Sequence, residues 1–376
     1  MNNKFTTFLL TIILIILICG SVIFGIAIYQ DITGADSKSE IFKLGNIITE
    51  EPEQKQDRGL EISSSNMTLT QEKNEENISE ATENNTTDIT INKYFYNQLV
   101  GNQKTIYDKL LENKDKLKLG NYKIEYKDAF SDVVTTEEGK GQLGNDYQTA
   151  IEAFMHDNPE LFYVDVNKML LNIETTTKFL RTTYNVYISS AENSTYLSDD
   201  FNDTEQIKVA IEKIENIKND IIKNLKGTDY DKIMQIHDFI VENVDYDSTY
   251  QATGTYGIYG ALIGKKCVCE GYAKTLKYLA NAAGIKCEIM QGTATNSSGQ
   301  TESHAWNCTK INGIWYEIDA TWDDPIIVGT GYKTNTYKYK YFLKGKNTFE
   351  KDHILSYQFS ENGKSFEYPI ISTRDY

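Results

Sequence analysis

The chain has 376 residues, 38 basic and 54 acidic side chains, a formal net charge of −16 and 40% hydrophobic residues. A chain of this length and composition can bury a sizeable core outside its amino-terminal stretch. The acidic balance and the absence of a basic patch in the sequence exclude a nucleic-acid-binding protein.

An uncharged stretch occupies residues 5–30, and residues 8–29 are almost wholly apolar. As a helix, such a segment of about 22 residues spans roughly 33 Å, close to one hydrocarbon core. No cleavage site stands out, and bulky residues precede Cys19 where a lipoprotein signal needs a small one. Residues 1–30 therefore predict a cytoplasmic tip and one transmembrane helix. Lys4 on the leading flank and acidic residues on the other predict a body outside the cell.

Residues 31–91 are predicted to be a disordered acidic linker. Between Asp31 and Asp88 there are 14 acidic and 5 basic residues, so −9 of the −16 charges lies here. Phe42 is the one aromatic residue, and such a segment cannot bury enough apolar surface to offset its chain entropy. We expect it to act as a spacer between membrane and body.

Residues 92–228 are predicted to be an accessory α+β region. Alternation of apolar and polar residues predicts a strand over Thr182–Ser189, and isoleucines at helical spacing from Ile207 to Ile221 predict a long amphipathic helix that Gly227 stops. This region contains no catalytic constellation, so we expect it to pack on the catalytic half, residues 229–376, and to shape a cleft.

A cysteine opens a predicted helix in the segment VCEGYAKTLKYLANAAG. After Cys269, apolar residues recur at the spacing of one buried helical face, and Gly284 is a suitable C-terminal cap. Cys269 is therefore predicted at or just before the first turn, where unpaired N–H groups and the helix dipole favour the thiolate, the reactive form of the side chain. This position suits a nucleophile.

A histidine and an aspartate follow on two strands of a predicted hairpin. Asn312-Gly313 is a strong signal for a two-residue turn, which makes the numbers of opposed residues sum to 625. His304, Trp306 and Cys308 then share a face with Glu317 and Asp319, and His304 and Asp319 become diagonal neighbours within roughly 7–8 Å. Asn307 points to the opposite face, so the hairpin selects Asp319 as the partner of His304.

Metal sites are the competing interpretation of these residues. Cys267, Cys269, Cys287, His304 and Cys308 could be imagined around zinc, but they lack paired C-x2-C knuckles. Asp323-Asp324-Pro325 is more typical of a turn than of a calcium cage. We predict no metal and no cofactor, and expect Cys287 and Cys308 to be buried thiols, with one disulfide between them as the alternative.

The motifs CVCEGYAKTLKYLANAAGIKCEIMQG and SHAWNCTKINGIWYEIDATWDDP resemble the core of the transglutaminase-like superfamily of papain-related cysteine enzymes. The resemblance extends upstream through TYGIYGALIGKK and, more weakly, downstream to YFLKGKNTFEKDH. It implies an α+β fold with a cysteine-bearing helix packed on an antiparallel sheet. It also implies that Cys269 is the nucleophile, His304 the base and Asp319 the third member of the triad.

The resulting expectation is a membrane-anchored, extracytoplasmic cysteine acyl-transfer enzyme that acts on amide or peptide bonds of surface protein or cell wall. Its thioester would be resolved by an amine or by water. The backbone N–H of Cys269 is the expected oxyanion donor, with Tyr246 a candidate second donor. The alternative is a surface binding or scaffold module built on an idle enzyme fold. Richness in Asn, Ile, Lys and Tyr indicates a bacterium with an AT-rich genome.

Overall fold

The computed structural model describes residues 27–30, 37–43, 93–324, 335–358 and 364–376. The helices of these ranges are α1 (Gly101–Glu112), α2 (Glu137–Asp157), α3 (Thr204–Asn224), α4 (Asp229–Asn243), α5 (Cys269–Ala282), α6 (Asn335–Lys338) and α7 (Lys346–Phe349). The strands are β1 (Ala27–Gln30), β2 (Ser37–Lys43), β3 (Ile124–Lys127), β4 (Leu170–Lys178), β5 (Arg181–Ser189), β6 (Asp245–Tyr246), β7 (Lys266–Cys267), β8 (Cys287–Thr295), β9 (Thr301–Ile311), β10 (Ile314–Ile318) and β11 (His353–Leu355).

Two antiparallel sheets organise the described part of the chain. The first has five strands in the order β1-β2-β4-β5-β3, and the second has four in the order β10-β9-β8-β11. A short parallel pair, β6-β7, precedes helix α5. The mixed α+β class predicted from the sequence is confirmed.

The second sheet carries helix α5 on one face, and this face positions the cysteine. Leu276, Leu279 and Ala280 of α5 are completely buried in a cluster with aliphatic side chains of α4 and with Ile318 of β10. Full burial of each leucine contributes about 1.5–3 kcal/mol. The helix ends as predicted, because Gly284 adopts a left-handed φ of 81° and the N–H of Ile285 donates to the carbonyl of Ala280 at 2.9 Å.

The predicted accessory region packs against the opposite face of the same sheet. Its aromatic and aliphatic residues form one buried cluster with Met290 and Trp306 of the second sheet. The strand expected over 182–189 is observed as β5, and the amphipathic helix is observed as α3. Ile207 of α3 lies in the cluster of the accessory region, and Ile214 packs with the core of α4 and α5, so this helix contacts both parts.

The amino-terminal expectations are corrected where the structure describes the chain. The last residues of the expected transmembrane helix, Ala27–Gln30, form strand β1 instead. Ser37–Lys43, expected within the linker, forms β2 and pairs with Leu170–Thr176 of β4. The physical reason is that β4 would otherwise expose unpaired backbone groups at the sheet edge, which an extended segment satisfies. The rest of the predicted anchor and linker lies outside the described residues. Within the described ranges, no helix has the length and apolar character required to span a bilayer.

Candidate active site

Cys269 is the first residue of helix α5, as the sequence predicted. Val268 before it is extended, with φ −93° and ψ 178°, and its side chain provides no cap. The capping residue therefore offers no side-chain acceptor to the first N–H groups of the helix. These N–H groups lie at the end of the helix that carries the Cys269 thiol. Cys269 is partly exposed, so a substrate can reach its sulfur.

The hairpin of β9 and β10 has the register that the Asn-Gly turn predicts. Ile314 pairs with Ile311 and Glu317 pairs with Cys308, so opposed numbers sum to 625. Asn312 and Gly313 have φ values of 52° and 84°, the left-handed pair of a type I′ turn. Trp306 donates from Nε1 to Glu317 Oε1 at 3.0 Å, which confirms that the predicted residues share a face.

His304 and Asp319 are brought together by this register. His304 Nε2 lies 2.8 Å from Asp319 Oδ2, and both side chains are buried. Asn307 points the other way and donates to the carbonyl of Ala273 in helix α5 at 2.9 Å. The choice of Asp319 over Asn307 as the partner of His304 therefore agrees with the geometry.

Asp319 accepts hydrogen bonds on both carboxylate oxygens. The backbone N–H groups of Thr321 and Trp322 donate to Oδ1 at 2.9 and 3.2 Å. His304 and His353 approach Oδ2 at 2.8 and 3.2 Å. Because hydrogen bonds and positive neighbours favour the ionised form, the pKa of Asp319 is held below its ordinary value even though burial opposes this.

The electrostatic surroundings of His304 favour the protonated, cationic form of its imidazole. Burial lowers its pKa, but the charge and hydrogen bond of Asp319, together with a hydrogen bond to the Cys269 thiol, raise the pKa of His304 to about 10. Since Nε2 is taken by Asp319, Nδ1 is the nitrogen that remains for the sulfur. The thiol of Cys269, the imidazole of His304 and the carboxylate of Asp319 thus belong to one site, and these residue types are able to act as nucleophile, base and orienting group.

The other described cysteines lack these partners. Cys267, Cys287 and Cys308 are free and completely buried. Burial raises the pKa of each of these three thiols well above the ordinary value, which keeps them protonated and unreactive. This contrast favours Cys269 over Cys267 as the nucleophile.

Tyr246 lies near the thiol but has no assigned role in the reaction. Burial is the main cause that raises the pKa of its phenol, and the charge of Cys269 is the next. The phenol therefore stays protonated and able to donate a hydrogen bond. Its part in an oxyanion site stays a prediction.

Sequence reasoning missed His353, which contacts the same carboxylate as His304. His304, Asp319 and His353 offer ligand-type atoms within 4.8 Å of one another in the described part of the chain. Each of these contacts is accounted for by hydrogen bonds on Asp319 Oδ2, so we interpret the group as a hydrogen-bonded set. The sequence signal for it is the downstream segment YFLKGKNTFEKDH, which ends in this histidine.

Comparison with known proteins agrees with the fold of this half. Residues 215–320 match the model of the transglutaminase-like superfamily core. The chain contains a transglutaminase-like core domain. The matched range includes Cys269, His304 and Asp319 and begins inside helix α3, which fits the packing of that helix on the catalytic half.

Two relatives are the kyphoscoliosis peptidases of Mus musculus and Homo sapiens. Each is 27% identical over 139 residues, which cover 34% of this chain and 21% of the relative. The chain thus matches about a fifth of the length of these relatives.

Among solved structures, one of a TGase is 16% identical with a TM-score of 0.28, covering 45% of this chain and 48% of that one. The periplasmic domain of TgpA from Pseudomonas aeruginosa is 13% identical with a TM-score of 0.24, covering 43% and 74%. Similarities of this size establish nothing about activity.

Proposed function

We propose that this protein is a cysteine acyl-transfer enzyme with Cys269 as nucleophile, His304 as base and acid, and Asp319 as the orienting carboxylate. The observation that carries the proposal is the contact of His304 Nε2 with Asp319 Oδ2 at 2.8 Å, with the Cys269 thiol at the start of α5 among the groups that raise the pKa of His304. Membership of the core domain in a superfamily of cysteine acyltransferases and proteases supports the same reaction class.

The first half-reaction forms a thioester. The proton of Cys269 moves to His304 Nδ1, and the thiolate attacks the carbonyl carbon of a carboxamide or peptide bond. The N–H groups at the start of α5 are placed to stabilise the oxyanion. The C–N bond then breaks, His304 returns its proton to the leaving nitrogen, and ammonia or an amine departs.

The second half-reaction resolves the thioester. A primary amine or water gives a proton to His304 and attacks the acyl carbon, and the thiolate leaves. Reaction with an amine makes a new amide and amounts to transglutamination, whereas reaction with water is hydrolysis. Superfamily enzymes act on protein or peptide substrates, and we propose the same substrate class here.

Placement at the membrane is a separate proposal that rests on the sequence. Residues 5–26, which precede strand β1, are uncharged and would have the length of a membrane span as a helix, and the flanking charges predict that the body lies outside the cytoplasm. Protease accessibility of the body in intact cells tests this. Protection of the body until the cells are lysed would overturn the proposal.

Alkylation of the full chain with iodoacetamide tests the reactive residue. We expect one rapid adduct, which peptide mapping places on Cys269, and we expect it to disappear in Cys269→Ala and to slow in His304→Ala. Cys267→Ala is the matched control and should leave the rate unchanged. Rapid labelling that persists in Cys269→Ala would refute the assignment.

The choice between transfer and hydrolysis needs a second assay. Glutamine-containing peptides are incubated with the full chain, with and without a primary amine, and the products are weighed by mass spectrometry. Incorporation of the amine identifies a transferase, and conversion or cleavage by water identifies a hydrolase. A wild-type protein that alkylates rapidly but converts no peptide would indicate a different acyl substrate.

A further inference from the structure

His353 reaches the carboxylate of the proposed site from a strand on the far side of β8. It opens β11, where it pairs with Ala294, while His304 of β9 pairs with Gly292. A Cβ at Gly292 would lie 2.0 Å from the carbonyl oxygen of Ile354 and 2.9 Å from the indole of Trp306. The absence of a side chain at Gly292 therefore lets β11 approach closely, with His353 at its start.

Both ring nitrogens of His353 face carboxylates. Nε2 lies 3.2 Å from Asp319 Oδ2, and Nδ1 lies 2.7 Å from Asp352 Oδ1. Tyr341 donates from its hydroxyl to Asp352 Oδ2 at 2.7 Å and accepts from Lys340 Nζ at 2.8 Å. Both carboxylate oxygens of Asp352 are thus engaged, Oδ2 by the Tyr341 hydroxyl and Oδ1 by the His353 ring. An imidazole that donates from both nitrogens is the cationic form.

The surroundings of the ring also suit a cation. The side chain of His353 is 1% exposed and is enclosed by aromatic rings. Their centroids lie 4.4 Å (Phe349), 4.6 Å (Trp322), 5.1 Å (Trp306) and 5.4 Å (Tyr341) from that of the imidazole. Two of these rings, Trp306 and Tyr341, meet the imidazole in a T-shaped arrangement, and aromatic rings at such distances can attract a cation. Two carboxylates and an aromatic enclosure therefore offer favourable partners to a protonated His353.

The reaction proposed above makes this second cation significant. His304 must hold a proton while the thiolate attacks and then release it to the leaving amine, and a general acid works best when its proton is not held too tightly. Asp319, in contact with Nε2, stabilises the imidazolium and so strengthens the hold of His304 on its Nδ1 proton. A protonated His353 on the same oxygen, with its ring centroid 5.5 Å from that of His304, would weaken this stabilisation.

We propose that His353 is a positioning residue that shares Asp319 Oδ2 with His304 as a fixed cation and so tunes how firmly Asp319 retains the proton on His304. This inference rests on the proposed function. The titratable and charged groups around the two imidazoles are Asp319, Asp352, Cys269, Glu317, Asp323, Tyr341 and Lys340.

Two substitutions separate charge from hydrogen bonding. His353→Gln keeps an N–H donor toward Asp319 but is neutral, and His353→Phe removes both while filling the aromatic enclosure. The chain has four histidines, so ¹³C-labelled imidazoles can be followed individually by NMR. We expect both variants to move the titration of His304 upward by about one pH unit, since a nearby charge changes a pKa by about 1–3.

The alkaline limb of the pH–rate profile for Cys269 alkylation should shift to higher pH in both variants, together with the titration of His304. His156→Gln is the matched control, because His156 is a buried histidine of α2 packed against Phe95; it should leave the His304 titration in place. Titrations of His304 that superimpose on the wild type in both His353 variants would overturn the inference, and a shift in the Phe variant alone would overturn its charge-based form.

Two outcomes remain separate from these. A wild-type His353 whose ring ¹⁵N shifts show the neutral form at neutral pH would overturn the inference without any substitution, even if the variants fail to fold. Failure of wild-type Cys269 to alkylate rapidly would instead overturn the proposed function, because that measurement does not involve His353.

Discussion

Replacing Asp319 by Asn removes the charge of the proposed orienting group while nearly preserving its shape. The new amide must place one oxygen and one nitrogen where Asp319 accepts four hydrogen bonds. If the oxygen keeps the two backbone N–H groups, the NH₂ faces His304 Nε2 and forces that nitrogen to accept. The remaining proton of His304 then lies on Nδ1, which can no longer take the proton of Cys269.

The expected magnitude follows from the electrostatics of His304. Against the opposing effect of burial, Asp319 and Cys269 raise the pKa of His304 from 6.5 to about 10, which corresponds to about 5 kcal/mol favouring the imidazolium. Part of this comes from Cys269, so Asp319→Asn should slow alkylation of Cys269 at neutral pH by about 10²- to 10⁴-fold. Stopped-flow or quenched alkylation with peptide mapping measures the rate.

Asp323→Asn is the matched control for this experiment. Asp323 is four residues further along, is completely buried, and accepts from a buried histidine, with His237 Nε2 at 3.2 Å. It should lower stability and leave the alkylation rate within a few fold of wild type. A folded Asp319→Asn protein that alkylates as fast as Asp323→Asn would refute the role of Asp319.

Two further predictions concern the support of the site. Burial raises the pKa of Glu317 from 4.5 to about 7, so its stabilising contribution is complete below about pH 4.5 and is lost as the pH rises to about 7. Glu317→Gln keeps an acceptor for Trp306. It should increase the free energy of unfolding by up to about 3 kcal/mol at about pH 8 and by little at about pH 4. Equal shifts of the urea midpoint at both pH values would contradict this. A Cβ at Gly271 would lie 2.6 Å from Cys267 Cβ and 2.9 Å from the carbonyl oxygen of Thr255, so Gly271→Ala should cost about 1–3 kcal/mol and slow alkylation of Cys269 by shifting the start of α5. Gly141→Ala, where a Cβ meets open space, is the control, and equal melting temperatures for the two variants would count against the overpacking argument.

The parts of the site that lie close together in sequence could be predicted. Asn312-Gly313 fixes the turn, the turn fixes the register, and alternation along β9 and β10 then decides that Asp319 and not Asn307 meets His304. The helix that begins at Cys269 follows from apolar spacing and its glycine cap. These inferences need only local geometry.

His353 could not be found in this way, because its contact with Asp319 depends on which strand lies at the far edge of β8. Nothing in the alternation of HIL indicates that β11 pairs there, or that Gly292 admits it. The strands β1 and β2 were missed for a related reason. Their residues have the composition of a membrane span and an acidic linker, and their strand structure depends on pairing with each other and with the edge of the distant strand β4.

The two carboxylate oxygens of Asp319 have different hydrogen-bond partners, and this explains how one carboxylate can contact two histidines. Oδ1 is fixed by the backbone N–H groups of Thr321 and Trp322, so the orientation of the carboxylate does not depend on the protonation of either imidazole. Oδ2 is then a stationary charge that His304 and His353 share. In the proposed reaction a proton would pass between Cys269, His304 and the leaving group without moving Asp319, and charge at a fixed geometry would set the energy of each step.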